Sequence, residues 1–114
     1  PDVRLRELTV RFVEFVGTDH LGLILHTEVP RLSEEAQKAI AGSHQALSTE
    51  VMEIYRSGVA DGVFAELPGR VVGRLIQETM MAGGRAVMDL PEPKQHVHEF
   101  ADATADFLVS GLRA

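Results

Sequence analysis

The sequence predicts an all-α fold, an antiparallel helical bundle of about five helices. Apolar residues recur at three and four residue spacings through most of the 114 positions, which puts them on one face of a helix and commits that face to packing. The breaks between these runs are short and rich in Gly, Asp and Pro, so consecutive helices fold back on one another. Strand character is confined to Leu23 to Val29, a short apolar run that periodicity leaves ambiguous. The helical reading is preferred there because nothing nearby offers a pairing strand.

From the N-terminus, Asp2 to about Val16 carries Leu5, Leu8, Phe12, Phe15 and Val16 on one helical face. Gly17-Thr18-Asp19 interrupts it, and Thr18 or Asp19 suits the N-cap of a short apolar helix through His20, Leu21, Leu23, Ile24 and Leu25. Pro30 ends that segment. Ser33 then caps the longest helix, with Glu34 and Glu35 in the first turn where the macrodipole favours acids. Its stripe runs through Ala36, Ala39, Ile40, Leu47, Val51, Ile54 and Tyr55 to Val59. Gly42 inside it marks a bend or a close approach by another helix. Asp61-Gly62 stops the helix, because Gly62 is free to turn left-handed after the last turn.

Pro68 opens a further helix carrying Val71, Val72, Leu75, Ile76, Thr79, Met80, Ala82, Gly83, Ala86, Val87 and Leu90. Leu90-Pro91-Glu92-Pro93 breaks it. The last helix, from Lys94 to about Leu112, repeats Val97, Phe100, Ala101, Thr104, Phe107, Leu108 and Gly111 at helical spacing. The stripes on these two helices are wider than a small single-chain core needs.

Composition narrows the function. At 45% apolar residues the chain is a folded domain, with no internal boundary or repeat. Its formal charge of -6 argues against nucleic acid binding by these residues, which would call for a Lys/Arg-rich face. Cysteine is absent, which removes thiol nucleophiles, thiolate metal sites and a disulfide scaffold. Neither a long apolar run nor a basic-apolar leader is present, so the expected setting is cytoplasmic, with no membrane partner.

No catalytic constellation emerges. The five histidines, His20, His26, His44, His96 and His98, lack compact ligand spacing, so no metal site is expected. His96 and His98 are two apart and point in different directions on a helix. Ser33, Ser43, Ser48 and Ser57 lie in no nucleophile elbow. Gly83-Gly84 lacks the lysine and glycine pattern of a phosphate loop, and no cofactor is called for. An enzyme with a buried acid-base pair is the weakest reading.

A small-molecule pocket fits better. Phe12, Phe15, Leu23, Met52, Tyr55, Met80 and Met81 supply aromatic or soft surface, while His20, His44 and Tyr55 offer polar groups to orient a ligand. Methionine is also common core filler, and the sequence does not separate packing from ligand contact.

The stretch Val51-Met-Glu-Ile-Tyr-Arg-Ser-Gly-Val-Ala-Asp-Gly-Val-Phe64, with Arg56, Gly58, Gly62, Phe64 and Pro68 at its marked positions, resembles the helix end and turn in the regulatory domain of TetR-family transcriptional repressors. Arg4 to Phe12 resembles the helix that follows the DNA-binding portion in that family. The resemblance implies that residues 1–114 form an effector-binding and dimerisation domain. A helix-turn-helix domain, absent from this chain, would read the operator and supply the only DNA contact. It also implies a homodimer through the last two helices, packed on their mates as a four-helix bundle. Val72, Leu75, Ile76, Thr79, Gly83, Phe100, Thr104, Phe107, Leu108 and Gly111 would form the seam, and a partly apolar small molecule would be the effector. The same exposed stripes would serve a helical adaptor module that binds a second protein.

Overall fold

The computed structural model describes residues 1–18 and 33–114, and within them the chain forms four α-helices. They are α1 (Asp2–Thr18), α2 (Glu34–Ala60), α3 (Gly69–Met88) and α4 (Pro93–Leu112). The all-α prediction holds. The expected short helix from His20 to Leu25 lies outside the described residues.

Local chemistry sets the helix ends. Ser33 is in extended backbone and its Oγ accepts from the Ala36 N–H at 3.1 Å, a side-chain cap on the first turn of α2. At the other end the Gly62 N–H reaches the Val59 carbonyl at 3.1 Å and the Val63 N–H reaches Gly58 at 2.8 Å. That crossed pair is a Schellman closure, and Gly62 at φ +74° occupies its left-handed position. Pro93 begins α4, where its missing N–H costs nothing.

Helix α1 is the central strut, packed against both α3 and α4. Its buried face is Leu5, Thr9, Val13 and Val16, and the Thr9 hydroxyl is satisfied by the Leu5 carbonyl at 2.8 Å. Leu8 and Phe12 are half-buried and Phe15 is at the surface, so the helix is rotated relative to the stripe expected from Leu5, Leu8, Phe12 and Phe15. Glycines set the α1–α3 crossing. A Cβ on Gly84 would lie 2.6 Å from a Val16 methyl, and one on Gly17 would lie 2.9 Å from a Val87 methyl. Each helix thus seats a valine of the other on bare backbone.

The core has two centres. The larger joins Leu5, Val51, Ile54, Tyr55, Phe64, Val72, Ile76, Met80, Leu108, Val109 and Leu112. The smaller joins Val13, Val87, Val97 and Ala101 and contains nothing from α2. Helix α2 therefore packs into the bundle through its second half, whereas Ile40 is the buried residue of its first half. Gly42 was read as a bend or close approach, yet no described atom lies within 4 Å of a Cβ built there.

A clasp closes the bundle at the end of α2. Phe64 forms an antiparallel bridge with Arg113. The Ala65 N–H donates to Leu112 at 2.8 Å and the Ala114 N–H donates to Val63 at 3.0 Å, tying the α2–α3 turn to the end of α4. Exposed ion pairs of Arg6 with Asp102 and Asp106 link α1 to α4. Pairs this exposed add little stability.

Candidate functional site

A cavity of about 340 Å³ lies between the first half of α2 and α1. Phe12 and Phe15 form one wall, and Ala39, Ile40, Ser43, His44 and Leu47 form the other. These α2 positions recur at three and four residue spacings, so one helical face supplies the whole second wall. The volume lies at the lower end of the range for drug-sized sites, and mostly apolar walls with few polar groups are the usual construction. Ser43 donates to the Ala39 carbonyl at 3.2 Å, which leaves its oxygen as an acceptor. His44 brings an imidazole to the same wall.

Of the expected effector contacts, Phe12, Phe15 and His44 are brought together here. His20 and Leu23 lie outside the described residues. Met52 is half-buried on the opposite side of the α2–α3 pairing, where its sulfur lies 2.9 Å from a Cβ built on Gly73. Met80 is fully buried in the larger core, and Met81 is half-buried on α3 outside the cavity lining. In the sequence Ile40 and Leu47 are legible only as stripe residues, and Ser43 only as a serine outside any nucleophile elbow. Nothing in a sequence says which part of a helix's stripe will line a cavity rather than fill the core.

Tyr55, another of the expected contacts, lies outside this cavity's lining. Its hydroxyl donates to the Ala65 carbonyl at 2.7 Å and accepts from the Leu67 N–H at 2.8 Å, and its ring stacks on Phe64 with centroids 6.2 Å apart. The hydroxyl thus ties the end of α2 to the segment leading into α3. Tyr55→Phe is expected to cost about 1–2 kcal/mol by leaving two backbone groups without their partner. Urea unfolding monitored by circular dichroism reads this directly; an unchanged midpoint would mean that water replaces the hydroxyl.

The expected seam also divides. Val72, Ile76 and Leu108 are buried in the chain's own core, and Gly83 faces Thr104 of α4, with its built Cβ 2.5 Å from the Thr104 hydroxyl oxygen. Within the single chain these four take part in intramolecular packing. Leu75 and Phe107 are 56% and 72% exposed, with Val71 beside them at 52%, a high exposure for large apolar side chains. Thr79, Phe100 and Thr104 are half-buried, and Gly111 is exposed. Along α3 the outward set Val71, Leu75, Thr79, Ala82 and Ala86 lies about 100° around the helix from the buried set, and Phe100, Phe107 and Gly111 share one side of α4. Each of the two helices thus carries apolar residues on its exposed side.

Among the described residues no group of three or more His, Asp or Glu side chains converges as a metal site. His98 instead lies 3.2 Å from Glu14 and His96 lies 4.0 Å from Glu99, both at the surface. No helix of the described residues is long and apolar enough to cross a membrane. A family profile described as "Tetracyclin repressor-like, C-terminal domain" matches residues 1–83. Searches of curated proteins and of solved structures gave no match.

Proposed function

From the premise that this chain belongs to the tetracyclin repressor-like C-terminal domain family, we propose that it senses a small, partly apolar effector and pairs the subunits of a transcriptional repressor. Domains of this family are regulatory rather than catalytic, with a ligand-sensing and dimerising role. The observation that carries the specific reading is the cavity between α1 and the first half of α2. Phe12, Phe15, Ile40 and Leu47 hold the apolar body of the effector, and His44 and Ser43 orient its polar group.

The second half of the proposal concerns assembly. Val71, Leu75, Phe100, Phe107 and Gly111 meet their two-fold mates, a self-complementary use of one patch. Operator DNA is read by a helix-turn-helix domain outside these residues, in keeping with the acidic charge of this one. Effector binding favours one spacing of the two reader domains over the other. Operator affinity then falls by the ratio of effector affinities in the two states.

Nile red, a neutral apolar dye, tests the cavity in purified protein. Its fluorescence is expected to rise saturably, and Leu47→Trp, which fills the space, is expected to weaken binding by at least about tenfold. Equal dye affinity in Leu47→Trp, with helical content intact, would sink the cavity assignment.

A further inference from the structure

A second concavity, of about 840 Å³, lies between the later part of α2 and the start of α3 and shares no lining residue with the effector cavity. Its chemistry is different. Arg56 projects from the α2 wall, and Arg70 and Arg74, one turn apart and therefore on the same face, line the α3 wall. Gly69 and Gly73 form the floor against Met52. The lining contains one carboxylate, Glu78, whose oxygen lies 3.5 Å from Arg74 Nε.

Among the described arginines outside the groove, Arg6 pairs with Asp102 and Asp106, Arg11 with Glu7 and Arg113 with Asp2, whereas Arg4 and Arg85 stand singly on the surface. Arg56 and Arg70 make no ion pair with any described residue. Three guanidiniums against one carboxylate give the groove an excess of positive charge in a chain whose formal charge is -6. The uncapped first turn of α3 faces the same way in sign.

Planar guanidinium forks match phosphoryl oxygens two at a time, which a lysine ammonium does not. We propose that this groove binds a small phosphate-bearing ligand, with its phosphoryl oxygens held between Arg56 on one wall and Arg70 and Arg74 on the other. The glycine floor and the Met52 side chain leave room for a flat organic group beside the phosphate. The site is separate from the effector cavity, so the chain receives two chemically distinct inputs.

Pyrophosphate is the probe, titrated calorimetrically into the purified protein at low ionic strength, where exposed charges are least screened. Saturable binding is expected, with Arg56→Gln and Arg70→Gln each weakening it by about tenfold. Glu78→Gln, which releases Arg74, is expected to tighten it. Arg4→Gln, on the exposed surface of α1, is the charge control and is expected to leave affinity unchanged. All these side chains are on the surface, so helical content and Nile red binding stay as in the parent. Absence of saturable binding at millimolar pyrophosphate would overturn the proposal. So would an equal loss in Arg4→Gln, or binding of a glutamate-rich peptide without binding of pyrophosphate.

Discussion

Gly58→Ala is expected to lower the stability of the fold by about 2–3 kcal/mol, against the small gain that alanine normally brings to a helix. A Cβ at this position would sit within the Phe64 ring, closer than atoms approach without displacement. The ring has nowhere to go. Phe64 is buried, stacked on Tyr55, and fixed in backbone position by the bridge to Arg113. For a chain of this size the loss corresponds to a fall in melting temperature of about 10 °C. A double-mutant cycle isolates the cause. Phe64→Leu alone removes buried ring surface and destabilises, whereas in the Gly58→Ala background the same change relieves the clash and costs clearly less. Additive effects in calorimetry would show that the glycine is needed for some other reason.

Phe107→Asp is expected to convert the protein from dimer to folded monomer. In the single chain Phe107 is 72% exposed, so the substitution removes little intramolecular packing and helical content is expected to persist. At a two-fold seam the change occurs twice, and each aspartate would have to lose its hydration against Leu75 and Phe100 or their mates. A cost of about 3–6 kcal/mol over the two copies corresponds to a loss of roughly a hundredfold to more than ten-thousandfold in dimer affinity. Sedimentation equilibrium across micromolar concentrations measures it. A soluble dimer of undiminished affinity would remove the outer face of α3 and α4 as the pairing surface. Val72→Ala provides the contrast, because Val72 points into the core. It is expected to lower the unfolding midpoint and leave the association constant of the folded protein nearly unchanged.

The helices were legible in the sequence because their determinants are local. Ser33 with two glutamates, Gly62, and the prolines around Leu90 mark ends by backbone chemistry that needs no tertiary partner. What periodicity could not supply was the direction of each stripe. Val71 and Val72 are adjacent, as are Leu75 and Ile76, yet one of each pair faces out and the other faces the core. A stripe spanning both faces reads as one broad surface until a neighbouring helix divides it. The same limit governs the cavity. Phe12, Phe15 and His44 were recognised by side-chain type, whereas Met80 and Tyr55, equally suited by type, went to the core and the clasp. The arginine groove escaped notice because Arg56 and the pair Arg70 and Arg74 are separated in sequence and meet only through the turn between α2 and α3.

That turn has a mechanical consequence. Two backbone hydrogen bonds, Ala65 to Leu112 and Ala114 to Val63, run in opposite directions between the same two segments and form a pin joint. Side-chain contacts slip when rotamers change, but a pair of opposed backbone bonds resists sliding along either strand. A displacement of the residues after α2 relative to the end of α4 is expected to strain these two bonds. The amide protons of Ala65 and Ala114 are its gauge, since both exchange with solvent only when the pin comes apart.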